Sequence, residues 1–119
     1  MTKIISVHEY ILKPSVEEGS FKRAILEAEE RGLFQLPGLA SYHIVRGIKG
    51  SRAGGYAAIW IYENRQAWER LWGSPDHPRE RDDYPVNWRI WEDEVLSSFI
   101  MQEPDQIQFT AYEELLSDF

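Results

Sequence analysis

Apolar residues recur along the chain with the periods of strands and helices, and four short stretches predict β-strands. These stretches are residues 3–12, 39–48, 56–62 and 107–112. In the first, Ser6, His8 and Tyr10 alternate with Ile5 and Val7, which assigns the two sets to opposite faces. Both faces of the first three strands carry apolar or aromatic side chains, so the pattern predicts that both faces are covered.

Apolar positions spaced by three and four predict amphipathic helices at residues 16–31, 65–72 and 86–100. Ser15 followed by Glu18 is a capping-box pattern before the first helix, and Gly32 is a natural residue to end it. Asn64 is a favourable N-cap for the second helix. Residues 73–85 contain three of the six prolines and are expected to form an exposed loop or a broken helix.

The turn at Pro37-Gly38 and the glycine-rich hairpin at 49–55 complete the order β-α-β-β-α-(α)-β. This order predicts an α+β, ferredoxin-like βαββα(α)β fold with an antiparallel sheet, and residues 1–119 are expected to form one domain. Helices cover one sheet face in that fold. Because the other face is also apolar here, we expect a homodimer that pairs the two sheets.

Composition and charge narrow the class of protein. The chain has 119 residues, 43% of them hydrophobic and 28% charged, which is typical of a globular domain. It contains no cysteine, which excludes disulfides, cysteine-ligated metals and a cysteine nucleophile. No apolar run approaches the ~18 residues of a membrane span, and the first residues lack a signal-peptide pattern, so we expect a cytoplasmic protein.

The net charge of −7 is unevenly distributed, at +2 for residues 1–60 and −9 for residues 61–119. The densest charged runs, at 79–83, 92–94 and 113–114, are mixed or acidic and are expected on solvated faces. A protein that neutralises phosphates needs clustered Lys and Arg instead. The distribution argues against nucleic acid and against an anionic membrane surface as partners.

The segment from residue 37 to 77 resembles the antibiotic-biosynthesis-monooxygenase (ABM) family of dimeric α+β barrels. The resemblance rests on a Pro-Gly turn, a Tyr and an Arg on the second strand, an aromatic-Glu strand end, an Ala-aromatic-Glu helix and a Ser-Pro close. Here these are Pro37-Gly38, Tyr42, Arg46, Tyr62-Glu63, Ala67-Trp68-Glu69 and Ser74-Pro75, with His77 nearby. Relatives of the NIPSNAP type share much of this pattern.

This resemblance implies several activities. Members of the family include cofactor-free monooxygenases that oxidise polycyclic aromatic phenols, haem-degrading enzymes and many proteins of unassigned role. The haem-degrading branch uses an Asn, a Trp and a His, where this chain offers His8, Leu71 or Trp72, and Arg81. Two of these three positions depart from the pattern, which makes a haem-binding or haem-degrading protein the weaker alternative, with His77 as its axial ligand.

All five tryptophans lie between residues 60 and 91, where the predicted elements group them on shared faces. One reading is an aromatic pocket between helices and sheet that binds a planar small molecule. Its candidate ligand-binding residues are Tyr10, Trp60, Tyr62, Trp68, Trp72, His77, Trp88 and Trp91. The other reading is that the rings only fill the core of a small domain.

His8 is the candidate catalytic base, because an imidazole is suited to abstracting a phenolic proton near neutral pH. A hydrogen-bonded structural role is the alternative for a single histidine on a strand. No metal-ligand spacing is present, and no cofactor is expected.

The leading hypothesis is a small cofactor-independent monooxygenase-like protein that binds or acts on a planar aromatic molecule. The alternative is a non-enzymatic ligand-binding or interaction barrel, and an isomerase or dehalogenase-like role is weaker. The sequence leaves open whether the protein is an enzyme.

Overall fold

The computed structural model describes residues 2–116. Its main sheet has four antiparallel strands in the spatial order β2-β3-β1-β4. These strands are β1 (Ile4–Tyr10), β2 (Leu39–Arg46), β3 (Tyr56–Tyr62) and β4 (Gln108–Glu113). The first and third strands therefore lie at the centre of the sheet, as in a ferredoxin-like fold. The predicted α+β, ferredoxin-like class with an antiparallel sheet is confirmed.

Three helices accompany the sheet: α1 (Glu18–Glu30), α2 (Arg65–Trp72) and α3 (Val86–Ile90). A π-helical turn, Trp91–Val95, and a 3₁₀ turn, Leu96–Ser98, continue α3 without a break. The predicted third helix, residues 86–100, is thus helical over most of its length but is not a regular α-helix. Such π turns are uncommon and often occur at functional sites.

Three helix-capping residues were predicted from the sequence, and the structure agrees with two of the predictions. The Ser15–Glu18 capping box is wrong, because the N-cap of α1 is Glu17 and no side chain caps it. The other end of α1 agrees with prediction, since Gly32 has φ 73° and its N–H donates to Glu29 O. Asn64 also behaves as predicted, because its Oδ1 accepts from Ala67 N–H at 2.9 Å.

Some predicted bounds shift in the structure. Strand β3 and helix α2 agree with their predicted bounds at both ends, whereas β1 ends at Tyr10 and Leu12 only forms an isolated bridge to Ile100. The predicted loop 73–85 is more ordered than expected. It contains a two-stranded ladder of Gly73–Ser74 with His77–Pro78 and a 3₁₀ turn at Arg81–Asp83.

The core lies between one face of the sheet and the helices, and it is rich in aromatic side chains. Trp60 in the central strand β3 is fully buried, with its ring centroid 5.0 Å from that of Trp88 and 5.4 Å from that of Phe34. Trp91 is also fully buried and packs on Phe34 at 4.9 Å. Several of these rings meet edge to face, a favourable geometry for aromatic pairs.

The opposite face of the sheet is apolar and lies outside this core. Ile5 pairs with Ile61, and Val7 pairs with Ile59, so the four side chains share one face of neighbouring strands. They are half-buried and do not belong to the core or to the residues packed against it. Tyr112 on the same face is 55% exposed. Within residues 2–116, no helix is long and apolar enough to cross a membrane.

Gly38 is expected to tolerate no side chain. Its φ is 85°, and an added Cβ would lie 2.5 Å from the Cβ of Ala67 on α2. Gly38→Ala should therefore lower the free energy of unfolding by about 2–4 kcal/mol, from backbone strain and overpacking together. Urea denaturation measures this loss. Gly50→Ala is the control, because Gly50 also has positive φ but no atom within 4 Å of such a Cβ; equal losses in the two variants would contradict the packing argument.

Candidate functional site

A cavity of about 600 Å³ opens between the inner face of the sheet, α2, α3 and the short ladder. Its volume is within the range of small-molecule sites. Six aromatic side chains contribute to its wall, namely Tyr62, Trp68, Trp72, Tyr84, Trp88 and Phe109. Its polar lining includes Ser6, His8, Arg81 and Glu92. The cavity therefore combines flat apolar walls with a few polar groups.

The tryptophans on α2 and α3 form a connected wall. The ring centroid of Trp72 is 5.2 Å from that of Trp88 and 5.0 Å from that of Tyr84, with interplanar angles of 66° and 88°. Trp68 precedes Trp72 by four residues and lies on the same helix face. These edge-to-face contacts hold the rings in position, so packing among the rings themselves sets the shape of the wall.

The structure brings together only part of the predicted set of site residues. His8, Tyr62, Trp68, Trp72 and Trp88 line the cavity. Tyr10, Trp60 and Trp91 are fully buried and lie outside its lining. His77 is exposed in the ladder and also lies outside the lining. Trp60 does not reach the cavity, because the ring of Trp88 packs against it from above the sheet.

Three buried polar atoms belong to the aromatic side chains that lie outside the cavity lining. Within residues 2–116, Tyr10 Oη, Trp60 Nε1 and Trp91 Nε1 have no partner with hydrogen-bond geometry. Burial raises the pKa of the Tyr10 hydroxyl far above its usual value, so this residue stays neutral. The three side chains serve the packing of the core and are closed off from the cavity.

His8 lies on β1 among aromatic rings. Its ring centroid is 5.7 Å from that of Trp88 and 5.4 Å from that of Phe109, its neighbour on β4. Nε2 lies 3.2 Å from Ser6 Oγ, whereas Nδ1 is buried and has no hydrogen-bond partner among the described residues. Burial lowers the pKa of His8 to about 4, so the imidazole is neutral at physiological pH. In the tautomer that donates from Nε2 to Ser6, Nδ1 is a free acceptor.

Glu92 is a site residue that the sequence did not indicate. It lines the cavity and is only 5% exposed. Arg81 Nη1 donates to Glu92 Oε1 at 2.7 Å, and Arg81 Nη2 donates to Asp93 Oδ1 at 2.6 Å. Burial raises the pKa of Glu92, although Arg81 and the nearby indole of Trp88 favour the ionised carboxylate. The cavity thus has a charged pair at its helix side.

The acidic run at 92–94 was expected on a solvated face, and Glu92 departs from that expectation. The missed signal is the spacing from Trp88 to Glu92, which at four residues puts both on one helix face. Acidic runs are usually solvent-exposed, and only the position of Arg81 in the folded chain makes burial of this carboxyl acceptable. Among the described residues, no group of three or more His, Asp or Glu side chains could hold a metal ion.

No family model and no curated protein matches this chain. Solved structures do match it in fold. A candidate antibiotic biosynthesis monooxygenase from Bordetella bronchiseptica is 16% identical, with 98% of this chain and 100% of that chain covered and a TM-score of 0.58. A dimeric ferredoxin-like protein of unknown function from Jannaschia is 18% identical, covering 94% and 99%, with a TM-score of 0.56.

SnoaB, a cofactor-independent oxygenase from Streptomyces nogalater, is 9% identical, covering 100% of this chain and 97% of that chain, with a TM-score of 0.52. At these identities the likeness shows the fold. The ferredoxin-like architecture that the resemblance implied is confirmed, because these structures share it over nearly the whole chain.

The burial of His8 predicts a specific pH dependence of stability. The pKa of His8 falls from 6.5 to about 4 on folding, so the unfolded chain binds more protons between these values and stability decreases as the pH is lowered through this window. The loss should reach up to about 3 kcal/mol near pH 4. Urea unfolding of the wild type and of His8→Gln at a series of pH values measures it. The variant should lose less stability across the window; parallel curves would show that His8 is not the group responsible.

Proposed function

We propose that the cavity binds a planar aromatic small molecule and that the protein acts on it as a cofactor-independent monooxygenase. The observation that carries this proposal is the roughly 600 Å³ cavity walled by Trp68, Trp72 and Trp88, with a neutral His8 in its lining. Flat rings favour a flat ligand, because stacked and edge-to-face contacts bury large apolar areas. The fold it shares with SnoaB supports the same class of reaction.

The chemistry needs few groups from the protein. The imidazole of His8 accepts the proton of an electron-rich phenol, and the resulting anion passes one electron to dioxygen. The substrate radical and superoxide combine on the ring as a peroxide, which takes the proton back from His8 and loses water to leave the quinone. The aromatic wall keeps water away from the pair. His8 is neutral at physiological pH, so its imidazole has a lone pair for the proton. Burial also makes it a weaker base than a free imidazole, and the phenolate formed beside it stabilises the imidazolium.

Two alternatives remain beside this proposal. A non-enzymatic ligand-binding or interaction barrel fits the buried Trp60 and Trp91, which serve the core alone. The haem alternative has little support, because His77, its axial ligand by resemblance, is exposed and lies outside the cavity lining. A cytoplasmic location stays a prediction of the sequence.

Ligand binding is tested by titrating the protein with a hydroxyanthracene and following the quenching of tryptophan fluorescence. Trp72→Leu removes a ring of the cavity wall and should weaken binding about tenfold, as expected for one lost aromatic contact. Leu26→Ala is the control, because Leu26 is 56% exposed on α1 and lies outside the cavity. Equal affinities of Trp72→Leu and wild type would contradict the assignment of the cavity.

Turnover separates the enzyme from the binding protein. We expect the wild type to oxidise an anthrone in air with consumption of dioxygen, and His8→Ala to lose most of this rate, since proton removal precedes electron transfer. An oxygen electrode and the absorbance of the quinone product follow the reaction. Binding without turnover would favour the non-enzymatic alternative, and an unchanged rate in His8→Ala would remove His8 as the base.

We also propose that two copies pair through the uncovered face of the sheet. The support is the apolar patch of Ile5, Val7, Ile59 and Ile61, which a monomer leaves without a second layer. A Glu9–Arg52 ion pair of 2.9 Å lies beside it, where both residues line a shallow groove on the same face. The dimeric protein from Jannaschia has the same fold.

Sedimentation equilibrium tests the dimer at micromolar concentration. The wild type should sediment as a dimer, and Ile59→Lys should be monomeric because it places a charge in the centre of the apolar patch. Leu26→Lys places the same charge on the exposed side of α1 and should leave the dimer intact. A monomeric wild type would overturn this proposal.

A further inference from the structure

Glu92 is a buried carboxyl at the cavity wall that the proposed reaction does not use. Its Oε1 is occupied by Arg81 Nη1 at 2.7 Å. The indole of Trp88 also lies close enough to favour the ionised carboxylate, and the side chain is only 5% exposed. Because Glu92 lines the cavity and a carboxylate has several acceptor positions, it can accept a further hydrogen bond from a molecule bound there.

The position of this carboxyl is held from two sides. Arg81 Nη2 donates a hydrogen bond to Asp93 Oδ1 at 2.6 Å. The planar guanidinium therefore joins the 3₁₀ turn Arg81–Asp83 to two successive residues of the π turn, Glu92 and Asp93. Trp88, four residues before Glu92, places its ring against those of Trp72 and His8. The carboxyl therefore has a fixed place beside an aromatic surface.

We propose that Glu92 recognises a hydroxyl group on the aromatic ligand by accepting a hydrogen bond from it, and that Arg81 is the residue that positions Glu92. This inference rests on the proposed function and adds to it a specificity residue and a required substituent on the ligand. An ionised carboxylate is an acceptor only, so a hydroxyl donor satisfies it. A methoxy group in the same place offers the carboxylate no proton, and sites built to hydrogen-bond a hydroxyl group reject ligands that lack the donor.

The preference for a hydroxyl group depends on the ionised form of Glu92. Burial raises the pKa of its carboxyl above 4.5, so the preference should fall as the pH is lowered through that pKa. His8, also in the cavity lining, has a pKa of about 4 and therefore stays neutral above that pH. The other ionisable groups near Glu92 or in the lining are Arg81, Asp93, Tyr10, Tyr62, Tyr84 and Asp105.

The experiment compares a hydroxyanthracene with its methoxy counterpart by fluorescence titration of wild type, Glu92→Gln and Glu94→Gln. We expect wild type to prefer the hydroxyl ligand by roughly tenfold or more, the ratio expected for a hydrogen bond to a charged group. Glu92→Gln should lose this preference with little change in affinity for the methoxy ligand. Glu94→Gln removes an exposed acid two residues away and should keep it. The preference in wild type should decline as the pH is lowered, because burial raises the pKa of Glu92.

The outcomes separate the inference from the proposed function. If wild type binds neither ligand, the proposed function and this inference both fall. If it binds both with equal affinity, or if Glu92→Gln keeps the preference, only the inference is overturned. Glu92→Asp is the second variant should Glu92→Gln not fold: it keeps the charge but withdraws the carboxylate by one methylene, and it should reduce the hydroxyl preference while retaining its decline at low pH.

Discussion

Trp60 makes the contact on which both the helix layer and the cavity depend. It lies in the central strand β3, fully buried, with Phe34 and Trp88 packed against it at 5.4 and 5.0 Å. A ring of this size holds α3 at a set height above the sheet, and the cavity lies beside it, next to His8 on β1 and Phe109 on β4. Trp88 then extends the wall to Trp72 at 5.2 Å. The packing of the core and the shape of the cavity are consequences of one aromatic cluster.

The charged side of the cavity depends on a second constraint, the burial of Glu92. A carboxyl that is 5% exposed needs a partner, and Arg81 supplies it from the segment between α2 and α3. The same segment is anchored at its start, where Arg79 N–H donates to Trp72 O at 2.8 Å. The ion pair therefore brings a proline-rich segment against the helix and gives the cavity a polar group that an all-aromatic wall would lack.

Local signals explain which parts of the fold were predictable. Strand β3 and helix α2 have the predicted bounds because the apolar pattern and the Asn64 cap act within a few residues. The Ser15 cap failed because Val16 N–H donates to Lys13 O, a tight turn that moves the first residue of α1 forward. In the site, grouping aromatic residues by helix and strand faces selected the rings that line the cavity, but it also included Tyr10, Trp60 and Trp91, which are fully buried outside the lining.

By itself, the sequence determined the order of the elements, the ferredoxin-like class and the concentration of aromatic residues between strand and helices, because periodicity and caps depend on neighbours along the chain. Only the tertiary structure decided which rings face a cavity, that His8 is held neutral by the rings around it and that Glu92 is buried. Those properties arise from residues that are distant along the chain, such as Phe109 beside His8 and Arg81 beside Glu92. Burial and pKa depend on all neighbours in space, and no local pattern records them.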